Sequence, residues 1–270
     1  MFLRRRAALA AAAALILCAG LAPAQESLVP VDLELVIAVD VSASMDREEF
    51  VLQREGYRVA IRHPDFVRAV LSGEYRRIAV AYVEWSGRGW QKTIVPWRMI
   101  DGAESADAFA AALSEQPLVL ARGTSISAAL DFSAALFAAN GFAGTRKTID
   151  VSGDGPNNYG RPVTEARDEA VADGIVVNGL PILIAPSPTV SDVARYYAEC
   201  VIGGPGAFML PVNKAEEFGL AIRRKLVLEV AGRSPAAEIV PIAAEAPIDC
   251  LAGEKLRERL VDPFYPGLDD

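Results

Sequence analysis

Asp40-Val41-Ser42-Ala43-Ser44 sets a carboxylate and two hydroxyls at alternate positions, directly after the unbroken apolar run Leu35-Val36-Ile37-Ala38-Val39. All three donors are hard oxygens, a set that suits Mg²⁺ or Ca²⁺ rather than zinc. Two more oxygen donors stand in comparable settings downstream. Thr124 lies in Gly123-Thr124-Ser125, a turn that opens a helical pattern, and Asp154 lies in Ser152-Gly153-Asp154-Gly155, after another short strand-like run. Taken singly, each has an ordinary explanation: Thr124 as a helix cap, Asp154 as turn chemistry. As a set they point to a bound cation rather than to a nucleophile.

Such donors must be brought together by the elements that precede them. The run before Asp40 reads as a strand buried on both faces. A second apolar run, 78–83, leads through Ser86-Gly87-Arg88-Gly89 into an alternating segment, 90–97. So short a connection predicts a hairpin and hence an antiparallel edge strand. Further strands are expected over 147–151, 175–184 and 207–212. Helices are expected from Asp46, whose side chain would cap in a box with Glu49, to about Arg62, and over 105–114, 164–173, 190–200 and about 214–231, with another opening at Thr124. This alternation predicts an α/β fold: a doubly wound, mostly parallel six-stranded sheet with one antiparallel edge strand and helices on both faces. In such a sheet the loops after neighbouring parallel strands open on one edge, where ligands bind. Beyond residue 231 proline and alanine dominate, and residues 232–270 read as an extended tail lying on the domain at 25–231.

The chain's first residues belong to neither part. Arg4, Arg5 and Arg6, an apolar stretch and Ala22-Pro23-Ala24 form a secretory signal over 1–24, too short in its apolar run for a spanning anchor. Its removal lowers the 27 basic residues by three and leaves the 35 acidic ones, moving the net charge from −8 to −11. That balance argues against nucleic acid and against anionic lipid as partners. No second stretch is apolar enough to span a membrane, so an exported protein, periplasmic or extracellular, is expected. Cys200 and Cys250 then remain as an even pair, which predicts one disulfide in an oxidising compartment, with two separate buried thiols as the alternative. His63, beside Pro64, reads as exposed or as a structural cap; Trp85, Trp90 and Trp97 read as packing around the hairpin.

Order, spacing and context of these donors resemble the von Willebrand factor type A domain, over roughly residues 31–231, and its metal-ion-dependent adhesion site of the form D-x-S-x-S, then T, then D. The run Asp150-Val151-Ser152-Gly153-Asp154-Gly155-Pro156-Asn157-Asn158 is similar to that of exported bacterial proteins of uncharacterised function with such a domain. The resemblance implies that Ser42 and Ser44 ligate a divalent cation directly, Thr124 directly or through water, and that Asp40 and Asp154 hold waters and supply charge. Mg²⁺ is the leading ion, with Mn²⁺ or Ca²⁺ as alternatives. An open coordination position would accept an acidic side chain from a protein partner. Two other classes compete with this binding module: a Mg²⁺-dependent hydrolase or phosphatase with Asp40 as nucleophile, and a structural subunit with a vestigial site. The hydrolase is disfavoured, because Ser42 stands where a second Asp is needed and no G-x-S-x-G elbow exists.

Overall fold

The computed structural model describes residues 27–42, 47–187, 189–233 and 247–260. The expected signal over 1–24 and the Asp46 cap lie outside them. In chain order the strands are β1 (Val29–Val31), β2 (Glu34–Asp40), β3 (Ile78–Trp85), β4 (Gln91–Ile100), β5 (Phe142–Gly144), β6 (Lys147–Gly153) and β7 (Ile175–Pro181). The helices are α1 (Arg47–Arg62), α2 (Pro64–Leu71), α3 (Ala103–Ser114), α4 (Ile126–Ala135), α5 (Val163–Ala172), α6 (Val193–Tyr196), α7 (Phe218–Ala231) and α8 (Ala252–Leu260).

Every residue of β2 is buried, as its apolar run requires, and the strand lies at the centre of a five-stranded sheet ordered β4-β3-β2-β6-β7. All pairings are parallel except β3 with β4, the hairpin. β4 alternates in exposure and carries Pro96, which an edge strand tolerates because its outer N–H groups have no ladder to join. Leu35, Ile37 and Val39 point into one core with Tyr57, Phe109 and Ile222 from α1, α3 and α7. Val36 and Ala38 point into the other, with Ile126 of α4, Ala166 of α5 and Tyr196 of α6. Helices therefore cover both faces.

Three features depart from the sequence reading. The expected sixth strand is reduced to isolated bridges, Gly179 with Met209 and Ile182 with Val212. Pro181 explains this, since it lacks the N–H that would donate to the Leu210 carbonyl between the observed bonds from Gly179 and Leu183. β1 and β5 form a separate small parallel sheet. Where an extended tail is expected, the chain forms α8, and a Cys200–Cys250 disulfide ties the approach to α8 onto the domain. His63 is a structural cap, its Nδ1 accepting from Asp65 N at 3.1 Å at the start of α2.

From β2 the chain winds outward to β3 and β4, then returns to β2's other side at β6. The carboxyl ends of β2 and β6 therefore flank the crevice that a reversal of winding direction creates. Asp40 ends β2 and Asp154 follows β6.

Candidate metal centre

Asp40 is fully buried, and its Oδ1 accepts the backbone N–H of Ser42 at 2.7 Å. This local turn is one that a short carboxylate makes readily, and it fixes Ser42 beside the strand end. The chain then stays sheet-like for one more step. Val41 N donates to the Trp85 carbonyl at 2.8 Å, Ala121 N donates to the Val41 carbonyl at 3.0 Å, and Ser42 bridges Ala121 in parallel. That bridge brings the 121–125 turn to the site.

The turn is held from two sides. Ser86 Oγ donates to the carbonyls of Arg122 and Gly123 at 2.9 and 3.1 Å, and Ser125 N donates to the Ser86 carbonyl at 2.9 Å. Gly123 has φ +81°, and a side chain there would also strike the Tyr159 ring, so glycine is required. From the other side, Asn158 Oδ1 accepts from Thr124 N at 2.9 Å while Asn158 N donates to the Thr124 carbonyl at 2.8 Å. Asn157, wholly buried, accepts from Ser127 N at 3.0 Å and donates to Glu254 Oε1 of α8 at 2.7 Å. The loop that carries Asp154 is thus bolted to the turn that carries Thr124.

Asp40, Ser42, Thr124 and Asp154 are accordingly drawn to one rim of the sheet; Ser44 lies outside the described residues. Asp40 feels Asp154 directly. Burial first, and then the negative charge of Asp154, hold its carboxyl well above the usual range, against the lowering effect of its hydrogen bonds with Ser42. Asp40 Oδ2 is buried without a hydrogen-bond partner. Nearby, the Tyr197 hydroxyl is in the same condition. Burying polar atoms unsatisfied is costly, so a pair of them beside two carboxylates suits a site completed by a hydrated cation. The donor chemistry agrees: hydroxyls and carboxylates, all hard oxygen. Among the described residues no group of three or more His, Cys, Asp or Glu could hold a metal, so any ion here would rest largely on hydroxyls.

Reading the sequence residue by residue overlooks what Asn157, Asn158 and Tyr197 do. The two asparagines carried a signal, since consecutive amides in a glycine- and proline-bounded loop can satisfy several backbone groups at once. Tyr197 carried none, being one of two adjacent tyrosines in a segment of mixed polarity.

A family model for a protein of unknown function, DUF1194, matches residues 30–234. No curated protein matches the chain. Among solved structures, proximal thread matrix protein 1 from the mussel byssus is 17% identical, with a TM-score of 0.57 over 76% of this chain and 49% of that one. The same protein has been solved with a zinc-occupied MIDAS motif, at 16% identity, a TM-score of 0.52 and the same coverage. A von Willebrand factor type A protein from Catenulispora acidiphila is 14% identical, with a TM-score of 0.53 over 74% of this chain and 43% of that one. The vWF domain of a type V pili tip protein from Porphyromonas gingivalis is 9% identical, with a TM-score of 0.54 over 80% of this chain and 99% of that one. The chain spans about half the length of the mussel protein. At these identities the likeness is one of fold, and the fold is that of von Willebrand A domains.

Proposed function

The chain belongs to the DUF1194 family of proteins of unknown function, and on that premise we propose that it is an exported interaction module that holds a protein partner through a divalent cation. The observation that carries the reading is Asp40: a buried carboxylate beside a second one, with an unpartnered oxygen, at the crevice where such folds bind ligands. Ser42 and Thr124, with Ser44 of the same motif, would hold the ion through their hydroxyls, and Asp40 and Asp154 would balance its charge. When bound, the cation supplies a Lewis-acidic position that an acidic side chain of the partner can fill. The protein's own work is positional. Asp40 Oδ1 sets Ser42, and Asn158 sets Thr124, before any ion arrives.

Charge around the site supports an acidic partner. The chain as a whole is acidic, with a net charge of −8, yet exposed Arg88 and Arg122 flank the Thr124 turn. The adjoining cavity, of about 530 Å³, is mixed in charge, lined by Arg88, Arg161 and Arg257 and by Asp131, Glu254 and Glu258. Export is supported by the disulfide, which suits an oxidising compartment. No helix among the described residues is long and apolar enough to cross a membrane. We read the module as a binder, not a catalyst, and Mg²⁺ as its first candidate ion.

Calorimetric titration of residues 25–270 with Mg²⁺, Mn²⁺, Ca²⁺ and Zn²⁺ tests this, with Asp40→Ala as control. One-site binding that the variant loses supports the reading and justifies metal-dependent capture of an acidic partner. No binding at millimolar ion in the wild type defeats it.

A further inference from the structure

We infer that Tyr197 is a further positioning residue of the cation site, its hydroxyl and Asp40 Oδ2 together holding a water at the cation's flank; the inference rests on the cation reading above. α6 ends by widening into a single π-helical turn, Tyr197–Val201, a distortion that recurs at functional positions. That turn aims the Tyr197 ring across the sheet. A Cβ on Gly179 of β7 would lie 2.8 Å from the ring, and one on Gly153 of β6 would lie 2.7 Å from the hydroxyl oxygen. Two glycines on neighbouring strands thus clear a path for a phenol to reach the end of β2.

The same imagined Cβ on Gly153 would lie 2.9 Å from Asp40 Oδ2. The two oxygens therefore face one small space, both are buried, and neither has a hydrogen-bond partner. One is a donor seeking an acceptor, the other an acceptor seeking a donor. A water between them accepts from Tyr197 and donates to Asp40 Oδ2, with its remaining lone pair turned outward. Two protein partners plus an ion give it the contacts a buried water needs. Packing alone does not call for the hydroxyl, since a phenylalanine ring would cross the same two glycines.

The test is Tyr197→Phe in the 25–270 chain, with Mg²⁺ and Mn²⁺ as probes in calorimetry and thermal unfolding of the metal-free protein alongside. Kd should rise about tenfold or more, the usual consequence of losing an outer hydrogen bond at a metal site, with metal-free stability kept or raised. Gly153→Ala crowds the same two oxygens without removing a donor and should weaken binding as well. If the wild type binds, Asp40→Ala does not, and Tyr197→Phe binds like the wild type, the inference falls while the cation reading stands. A loss of metal-free stability with unchanged affinity makes Tyr197 a packing residue and equally overturns it. A wild type that binds no ion overturns both.

Discussion

Two aspartates on neighbouring strands of one sheet, Asp40 and Asp150, are buried to the same degree and answered in opposite ways. Asp150 lies beside Ile37 in the register of β2 and β6, and Lys225 of α7 reaches its Oδ1 at 2.5 Å. The same ammonium bonds Glu229 Oε1 at 2.5 Å, Asn178 Nδ2 donates to Glu229 Oε2 at 2.8 Å, and the Lys225 charge lies 4.7 Å from the centroid of the Phe208 ring. Asp150 thus has a counter-charge within the fold, shared with Glu229, although its Oδ2, like that of Asp40, has no hydrogen-bond partner. Asp40 lies three residues further along β2, toward the other helical layer, and its charged neighbour is another carboxylate. Burial without an internal counter-charge is unfavourable unless something outside supplies one. The difference separates a structural carboxylate from a socket.

The largest test of that contrast is Lys225→Met. It strands two buried carboxylates and should cost about 3–5 kcal/mol in urea unfolding, while leaving Mg²⁺ affinity at Asp40 unchanged in whatever fraction stays folded. Cys250→Ser should cost about 2–4 kcal/mol by releasing a cross-link between distant segments. Its damage should fall on Asp40's side of the sheet, with hydrogen exchange rising in Ala252–Leu260 and in the Asn157 loop but not along α7. Asp40→Asn reverses the Lys225 pattern. Metal-free stability should hold or rise as repulsion from Asp154 disappears, while cation affinity drops on the order of a hundredfold, as calorimetry would read. Asn158→Ala frees the Thr124 turn and should weaken the ion about tenfold without altering the Asp150 cluster.

The smallest effect concerns α8. Burial holds the Glu254 carboxyl above its usual range, against the lowering effect of the hydrogen bond from Asn157. The docked state therefore keeps this proton more tightly than the undocked one. Its contribution is full below the ordinary glutamate pKa and fades as pH rises through the raised value. Exchange in α8 should thus increase modestly over that interval, and Glu254→Gln should flatten the response. A flat wild-type profile would remove Glu254 from the contact.

Much of the fold was legible because it rests on short-range patterning. The apolar run of β2 had to be buried on both faces, the glycine-rich link at 86–89 had to make a hairpin, and the alternation of elements had to wind a parallel sheet. Local composition misleads where long-range contacts decide. Ala252–Leu260 is polar and weakly periodic, and it is a helix because the Cys200–Cys250 link delivers it to Asn157 and because Arg257 stacks over Tyr159. The edge segment at 207–212 reads as a strand, yet its ladder is cut at Pro181 of the neighbouring strand, which has no N–H to donate. Lys225 with Glu229 four residues on reads as an ordinary exposed helix pair, and its burial is set by Asp150, which lies 75 residues away.

For the site, donor identity is a property of the chain: hydroxyl and carboxylate oxygens at fixed spacing select hard cations whatever the fold does with them. Whether a carboxylate carries its own counter-charge is a property of the packed molecule alone. Asp40 closes an apolar run and Asp150 follows Arg146-Lys147-Thr148-Ile149, and neither setting along the chain says which carboxylate will meet an internal counter-charge. Only folding sets one beside an ammonium and the other beside Asp154, because charge acts through space and burial removes the water that would otherwise screen both.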